Sequence, residues 1–429
     1  MTERTAARPV PGHRTVLVAI VLLALTLRPA VTATSSLLPR IVDGVPLTTT
    51  QAGLLGALPP FCFAVAGLVA PRLARGLPAE RIAVLLLLVA AATQLVRPWV
   101  PGAWPFLAVT VVALVAMGSG NIVLPPLVKA WFGDRIPQVT ATYLIALTVS
   151  TAVPPLVSVP VADAAGGGGW RVALALWGVV ALLAVVPWLG PARRPRAVPV
   201  TRTAQGGDGA AAHPGHLPLW RSRVAWGVTF VFGFQSFAAY VMFSWLPTRL
   251  TDAGLSEQRA GVMLSLFSVL ALPSTFLAPR LVARVRSTLL LVTQFALSFA
   301  TGLVGLALAP TTLTELWIVL SGWGSALFPL ALTLVGLRTR TPAAAGSLSG
   351  FAQGIGYLVA GTGPFVAALV HDTTGRWDVP FLLPVGAMGL VVVGAWLAGH
   401  GTVEDDLAPR AAAGPDGPDG RPRTVTLDG

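Results

Sequence analysis

The sequence has little charge, a single cysteine and few histidines, and each scarcity excludes a class of protein. Charged residues make up 11% of the 429 residues, against roughly 25% in soluble proteins, and the mean hydropathy is +0.75. Cys62 has no second cysteine with which to form an internal disulfide or a cysteine-based metal site. The five histidines fall in predicted tails, loops or helix ends and form no spaced cluster, so we expect neither a metal site nor a cofactor.

Carboxylates are absent from the interior of the hydrophobic runs. No Asp or Glu lies between the ends of any run, so the sequence offers no buried carboxylate that would neutralise a cationic solute or carry a proton at mid-membrane depth. Asp43, Asp163 and Asp252 lie at outer run ends and could carry protons only if a cavity reached them.

The sequence also lacks the side-chain sets of an enzyme or a sensor. An integral membrane enzyme would need a nucleophile with its base, metal ligands or paired acids, and no Ser-His-Asp arrangement, HExxH motif or acidic cluster in an inner loop is found. A sensor would need an added soluble domain, and the longest loop, 191–222, has no apolar periodicity. We therefore expect a protein that is not an enzyme.

Apolar runs of about 20 residues, each long enough to cross a bilayer as a helix, recur along the whole chain. We number them in chain order as spans 1 to 12: 14–38, 48–70, 80–97, 104–127, 138–162, 171–190, 223–247, 258–279, 287–309, 315–337, 343–370 and 379–399. They predict an all-α integral membrane protein with twelve transmembrane helices in contact with the lipid bilayer.

The chain reads as two copies of a six-span unit. Four short motifs recur at an offset of 208 or 204 residues: Leu38-Pro39 as Leu246-Pro247, Ala52-Gly53 as Ala260-Gly261, Ala70-Pro71-Arg72-Leu73 as Ala278-Pro279-Arg280-Leu281, and Gly118-x-Gly120 as Gly322-x-Gly324. Six spans per half with the same in-out order predict a parallel, pseudo-symmetric repeat. The predicted layout is an N-terminal cytoplasmic tail (1–13), a first half (14–190), a flexible cytoplasmic linker (191–222), a second half (223–400) and a disordered cytoplasmic tail (401–429).

The basic residues are distributed unevenly between the two sides of the membrane. If the N-terminus is inside, 22 of the 29 Lys and Arg residues lie in inner segments, 6 lie in outer segments, and Arg28 lies within span 1. This asymmetry predicts that both termini are cytoplasmic. The net charge of +12 therefore reflects the enrichment of Lys and Arg on the cytoplasmic side and does not indicate a nucleic-acid partner. Abundant Ala, Gly, Pro and Arg suggest a high-GC bacterial genome, and hence the bacterial plasma membrane.

Arg28 is the one charged residue inside a hydrophobic run. An arginine at mid-bilayer depth costs at least about 2.5–3.5 kcal/mol on insertion scales and usually faces a water-filled cavity or a partner. Its guanidinium stays charged and presents a fork of donors that suits small planar anions. The alternative is a structural arginine that binds carbonyls or hydroxyls of neighbouring helices.

Several motifs, taken together, identify a family by resemblance. They are Leu27-Arg28-Pro29-Ala30 in span 1, Gly120-Asn121-x-x-Leu124-Pro125 in span 4, Gly169-Trp170-Arg171 before span 6, Gly233-x-Gln235-Ser236-x-x-x-Tyr240 in span 7, and Gln353-x-x-Gly356-Tyr357 in span 11. The set resembles the cyanate permease / 2-nitroimidazole transporter branch of the major facilitator superfamily. The loop after span 2 keeps Gly67, Arg72 and Arg75 of that superfamily's G-x-x-x-D-R-x-G-R motif but has Pro71 at the aspartate position and Ala74 at the second glycine.

The resemblance implies a central cavity lined by spans 1, 4, 7 and 10, with help from spans 5, 8 and 11. It implies these substrate-binding residues: Arg28, Asn121, Gln235, Tyr240, Ser325, Gln353 and Tyr357. Gln353 and Tyr357 share one helix face, whereas Gln235 lies about 100° from Ser236 and Tyr240, so we expect either Gln235 or that pair to face the cavity. Arg97, at the outer end of span 3, could draw anions in, but a snorkelling or capping role is expected.

The implied function is transport by alternating access. The expected substrate is a small anion or small polar solute, similar to cyanate, bound by Arg28, with the protein acting as a monomer. The alternative is an exporter of 2-nitroimidazole-like or other small drug molecules.

Overall fold

The computed structural model describes residues 13–74, 76–193, 218–285, 287–399 and 401–408. Within these ranges the regular structure is helical, without strands. The helices of the spans are His13–Leu25 and Pro29–Ser36 (span 1), Thr49–Ala74 (2), Ala79–Val96 (3), Ala103–Trp131 (4), Ile136–Ala164 (5), Gly169–Val185 (6), Arg223–Asp252 (7), Glu257–Arg284 (8), Thr288–Leu308 (9), Thr314–Gly324 and Leu327–Leu337 (10), Pro342–Thr374 (11) and Asp378–Leu397 (12).

The all-helical membrane fold predicted from the sequence is confirmed. In the described part of the chain, eleven helical segments are long and apolar enough to cross a membrane. Span 8 is not among the eleven, although its helix, Glu257–Arg284, has 28 residues, more than the roughly 20 that a crossing needs. The count of twelve crossings therefore remains a prediction.

Successive spans run in opposite directions, so the molecule has two faces. We call the face that carries His13, Arg193 and Val403 the termini face, and the other the opposite face. The buried apolar side chains form two cores. One lies within the first half and includes Leu23 and Leu87. The other fills the second half and continues into the first half, so the halves share a core toward the opposite face.

Close backbone approach holds the halves together toward the opposite face. A Cβ added at Gly53 of span 2 would lie 2.5 Å from the Cβ of Ala368 in span 11. One added at Gly261 of span 8 would lie 2.5 Å from the carbonyl oxygen of Pro155 in span 5. These glycines admit contacts that any larger residue would block, as small residues commonly do between membrane helices.

Spans 2 and 11 separate toward the termini face. A Cβ built at Gly67 of span 2 would meet no atom within 4 Å, and the same holds for Gly350 and Gly354 of span 11. The halves therefore form a wedge that is shut at the opposite face and open toward the termini.

The C-terminal segment differs from the sequence prediction. Disorder was predicted from 401, but Val403–Leu407 forms a short helix whose first residue is buried. Thr402 and Asp405 form a reciprocal capping box, in which the Asp405 amide donates to Thr402 Oγ1 and the Thr402 amide donates to Asp405 Oδ2. The Thr402 hydroxyl also donates to this carboxylate, and the hydrogen bonds that the carboxylate accepts from the Thr402 hydroxyl and amide hold the pKa of Asp405 below its usual value.

This helix is tied to spans 7 and 10. The Val403 amide donates to the carbonyl of Arg338, and Asp406 Oδ2 accepts from Ser222 Oγ at 2.7 Å. The disorder prediction is wrong for 401–408 because the capping box and the bonds to spans 7 and 10 order this segment, although its composition resembles that of a disordered tail. Residues 1–12, most of the predicted linker (194–217) and 409–429 lie outside the described residues.

Candidate functional site

A cavity of about 240 Å³ lies between the halves where the wedge opens. The residues that line it come from spans 1, 5, 7, 8, 10 and 11: Arg28, Val31, Thr32, Leu144, Leu147, Thr148, Thr151, Gln235, Ser236, Ala239, Tyr240, Phe243, Phe267, Ser268, Ala271, Ser325, Phe328, Pro329 and Tyr357. Span 4, which the family resemblance placed at the cavity, contributes none of them. Five of the seven predicted site residues line this one cavity, and Asn121 and Gln353 do not.

Arg28 lies in a break in span 1. The first helix ends at Leu25 and the second begins at Pro29, with Arg28 as its N-cap at φ −120° and ψ −21°. Proline lacks an N–H and disfavours helical backbone in the residue before it, so Pro29 accounts for the break. The Arg28 amide donates to Ser150 Oγ of span 5 at 3.1 Å, which anchors the irregular backbone.

The Arg28 guanidinium lies at the cavity wall without a carboxylate partner. Its Cζ is 5.2 Å from the ring centroid of Phe63, a cation–π distance. The Tyr240 hydroxyl lies within hydrogen-bonding reach of the guanidinium, and Tyr357 is close enough to interact with its charge. None of the ion pairs formed by the described residues includes Arg28. The positive charge is therefore available to a solute in the cavity.

Span 10 has a second break at the same cavity. Its helices end at Gly324 and resume at Leu327, and Ser325 lies between them. The Ser325 hydroxyl donates to the Gly322 carbonyl at 2.6 Å, a local bond that competes with helical hydrogen bonding. Pro329 has no N–H with which to complete the helix across the break, so the carbonyl of Ser325 accepts from Phe328 instead.

The aromatic part of the cavity wall comes from the second half. Its rings belong to Tyr240, Phe243, Phe267, Phe328 and Tyr357. The ring centroids of Phe243 and Phe267 are 5.4 Å apart, and those of Tyr240 and Phe243 are 6.3 Å apart, both edge-to-face. Such a wall suits the flat face of a planar, ring-containing solute.

Gln235 and Ser236 both line the cavity, so the expected choice between them does not arise. The Gln235 amide nitrogen donates to Ser236 Oγ at 2.7 Å. The helical-wheel argument failed because the cavity surrounds more than one face of span 7, with Gln235, Ser236 and Tyr240 all at its wall.

Asn121 and Gln353 make local hydrogen bonds away from the cavity. The Asn121 amide nitrogen donates to the carbonyl of Met117 one turn earlier at 3.3 Å. The Gln353 amide nitrogen donates to Ser349 Oγ at 2.6 Å. Of the predicted pair on span 11, only Tyr357 lines the cavity.

Sequence reasoning missed several wall residues. Thr32 follows Arg28 by four positions, and this i, i+4 spacing could have identified it. Phe243, Phe267 and Phe328 gave no such signal, because aromatic residues in a hydrophobic run look the same whether they face lipid or a cavity.

Arg97 is placed differently from the sequence expectation. It neither snorkels to the membrane surface nor lines the cavity, but is fully buried beneath the second helix of span 1. Its Nη2 donates to Thr34 Oγ1 at 3.0 Å, and its Nη1 approaches the Ala30 carbonyl at 3.5 Å. Its Cζ is 5.7 Å from the ring centroid of Phe106. Arg97 therefore fixes the helix that begins at Pro29.

One carboxylate was also missed. Glu80, in the first turn of span 3, is fully buried, and its Oε1 accepts from the indole of Trp131 at 2.9 Å. It lies at a span end near the termini face and not at the cavity. In the described chain, no group of three or more His, Cys, Asp or Glu residues could hold a metal ion.

Comparison with known sequences gives consistent matches. A family model described as Major Facilitator Superfamily matches residues 17–322. The chain is 34% identical over 388 residues to "Uncharacterized transporter YycB" of Bacillus subtilis (90% of this chain, 92% of that one). It is 33% identical over 383 residues to "2-nitroimidazole transporter" of Escherichia coli (89% and 94%). It is 26% identical over 384 residues to "Cyanate transport protein CynX" of the same species (87% and 95%).

Comparison with solved structures supports the fold. A bacterial homologue of the human lysosomal transporter Spinster, inward-facing and occupied, superposes with a TM-score of 0.73 at 15% identity, over 91% of this chain and 97% of that one. A D-xylose–proton symporter superposes with a TM-score of 0.67 at 14% identity, over 90% and 96%. At these identities the likeness concerns architecture alone.

Proposed function

The chain belongs to the major facilitator superfamily, and we propose that it moves a small planar solute, anionic or rich in polar oxygens, across the membrane by alternating access, with Arg28 as the residue that binds the solute's oxygens. The family and the relatives are transporters rather than enzymes.

The observation that carries the proposal is the position of Arg28. Arg28 carries a charge without a carboxylate partner, lies at a helix break and lines the cavity between the halves. A guanidinium offers paired N–H donors to the two oxygens of a carboxylate or nitro group. A structural arginine such as Arg97 is fully buried against the oxygens of a neighbouring helix, whereas Arg28 lies at the cavity wall beside the Tyr240 hydroxyl.

The dimensions of the cavity favour a ring over a three-atom anion. One water occupies about 30 Å³ in the liquid, so a cyanate ion would fill only a small part of about 240 Å³. The five aromatic side chains provide stacking and edge contacts that cyanate cannot use. Of the two candidate substrates, a 2-nitroimidazole-like molecule therefore fits better than cyanate. A single chain forms the whole site, which agrees with action as a monomer.

The wedge shape supports transport by rocking of the two halves. Binding at the interface between parallel repeats, with access from one side at a time, is the general scheme for such transporters. With both termini in the cytoplasm of a bacterial cell, the open side would face inward. The substrate would then leave or reach Arg28 from the cytoplasm in this conformation.

Ligand-induced thermal stabilisation of the purified protein tests the substrate assignment. We expect 2-nitroimidazole to raise the melting temperature more than cyanate does, and Arg28→Ala to lose both responses. Arg14→Gln alters an exposed arginine outside the cavity and should respond like the wild type. A full response in Arg28→Ala would contradict the binding role. A larger response to cyanate would favour the small-anion candidate.

Cysteine labelling in intact cells tests the orientation. In a Cys62→Ala background, a cysteine at Asp372 on the opposite face should react with an impermeant maleimide added outside, and one at Arg193 should not. The reverse pattern would invert the proposed topology.

A further inference from the structure

Two polar atoms of cavity-lining residues lack hydrogen-bond partners. They are the amide oxygen of Gln235 and the hydroxyl of Thr32, both on side chains that are 1% exposed. The absence is unusual for threonine, since Thr34, two residues later, donates to the carbonyl four positions before it. Buried polar atoms are nearly always paired, so an unpaired one in a binding cavity indicates a group that a ligand satisfies.

The geometry of Gln235 defines what that ligand must provide. Its amide nitrogen is already engaged, donating to Ser236 Oγ at 2.7 Å. The oxygen is left over, and an amide oxygen accepts hydrogen bonds but cannot donate them. The terminal torsion of glutamine is broad, so the oxygen can turn toward a solute without leaving a rotamer well. The missing partner is therefore an N–H or O–H group.

Given the proposed function, on which this inference rests, we propose that Gln235 determines specificity by accepting a hydrogen bond from a ring N–H or O–H of the substrate while Arg28 holds its oxygens. The substrate class is then a planar ring that carries both an oxygen-rich group and a donor. Cyanate has no donor and would leave the oxygen of Gln235 unpaired.

The two contacts come from different halves, Arg28 from span 1 and Gln235 from span 7. A substrate with both groups forms hydrogen bonds to both halves, whereas one without the donor loses the hydrogen bond to Gln235 of the second half. Thr32 is one turn from Arg28, and its hydroxyl can donate or accept, so it adds affinity without selecting between donors and acceptors.

A matched pair of ligands isolates this bond. 2-Nitroimidazole and 1-methyl-2-nitroimidazole differ by replacement of the ring N–H with N–CH₃, and both keep the nitro oxygens. Titration calorimetry with the purified full-length protein should give wild type a preference of roughly ten-fold or more for the N–H compound, since the methyl compound leaves the buried acceptor unpaired.

Variants separate the lost hydrogen bond from a steric effect of the methyl group. Gln235→Met keeps side-chain length without an acceptor, and we expect its preference to fall to about two-fold or less, through weaker binding of the N–H compound. Gln235→Leu is the second variant if Met does not fold. Gln353→Leu, which alters a glutamine outside the cavity, should keep the wild-type preference.

The outcomes are distinguishable. Equal wild-type affinity for the two compounds would overturn the role of Gln235 and leave the proposed function standing. A preference that survives in Gln235→Met or Gln235→Leu would assign the donor contact to another residue and overturn it as well. If wild type binds neither compound, the proposed substrate class is wrong and the inference falls with it.

Discussion

Spans 1 and 7 occupy equivalent places in the two halves, 208 positions apart, yet only span 1 is broken. The counterpart of Pro29 in span 7 is Phe237, and the helix there runs without interruption from Arg223 to Asp252. The counterpart of Arg28 is Ser236. The repeat therefore sets the position of a helix, and the break at the cavity in span 1 coincides with Pro29, which has no proline counterpart in span 7.

In spans 4 and 10 the helix of the second half is broken and that of the first half is continuous. Asn121 in span 4 and Ser325 in span 10 are equivalent at the 204-residue offset, and here the second half is broken. Asn121 bonds to the carbonyl four positions before it and the helix continues, whereas Ser325 bonds three positions back, to Gly322, and the helix is interrupted. Each half thus supplies one broken helix to the cavity, at positions that the repeat does not relate.

The halves also differ in chemistry. In the described cavity wall, the one charge comes from the first half and all five aromatic rings come from the second. The pseudo-symmetric halves therefore line the cavity with different chemistry, a charge from the first half and aromatic rings from the second.

The largest expected effect follows from removing the charge of Arg28 or moving it to the equivalent position in span 7. Arg28→Gln should abolish transport in proteoliposomes while the protein remains folded by size-exclusion chromatography. Arg28→Lys should weaken binding at least about ten-fold because the fork of donors is lost. The double variant Arg28→Ser with Ser236→Arg should stay inactive, since span 7 has no break. Transport by the double variant would mean that the halves are interchangeable at this position.

Restoring continuity in span 1 should have the next largest effect. Pro29→Ala permits an unbroken helix, which changes the direction of Arg28, so we expect affinity to fall about ten-fold with thermal stability unchanged or raised. Pro125→Ala, in the unbroken span 4, is the control and should bind normally. Calorimetry with 2-nitroimidazole measures both. Unchanged affinity in Pro29→Ala would show that the break does not position Arg28.

Arg97→Lys should loosen the second helix of span 1. A lysine keeps the charge but cannot reproduce the planar contact with Phe106 together with the bond to Thr34, so we expect a loss of about 1–3 kcal/mol in stability and weaker ligand binding. Arg171→Lys affects a half-exposed arginine bonded to the Pro98 carbonyl, and its effect should be smaller. Equal melting temperatures for the two variants would remove the special role of Arg97.

The equivalent pair in spans 4 and 10 should respond unequally. Ser325→Ala removes the bond that stabilises the break, and we expect about a three-fold loss of affinity, in keeping with one neutral hydrogen bond. Asn121→Ala should leave affinity unchanged because its side chain does not line the cavity. A larger effect in Asn121→Ala would restore the site that the resemblance implied.

The smallest effect concerns the ion pairs at the opposite face. Arg40 bonds to Asp163 of the first half and to Glu257 of the second, each at 2.7 Å. Glu257→Gln should slightly increase labelling of a cysteine at Ser35, in a Cys62→Ala background, because a partly exposed pair contributes only about 0–1 kcal/mol and is screened by salt. Asp163→Asn leaves the pair between Arg40 and Glu257 intact and should not increase the labelling. Equal labelling would mean that this pair does not hold the halves together.

Hydrophobic run length and the internal repeat predicted most of the fold, because a bilayer leaves a spanning chain little choice but a helix. The site was predicted where a residue was chemically out of place, as Arg28 is in span 1. The site was not predicted where it depends on which side chains face the interface between the halves, because the sequence does not show this. Asn121 and Gln353 resemble Gln235 in sequence, and only packing separates them. Arg97 was misjudged because its burial depends on the break in span 1, which brings Ala30 and Thr34 within its reach.

The charge of Arg28 also affects small cations, which are not the proposed cargo. The cavity is wide at one side, and in the described wall its single fixed charge is positive. Such a charge in surroundings of low polarisability repels sodium and hydronium ions as effectively as it attracts oxygen-rich solutes. Under the proposed function, the guanidinium that binds the cargo would also keep sodium and hydronium ions out of the open vestibule, while the close packing of the helices at the opposite face blocks the way through.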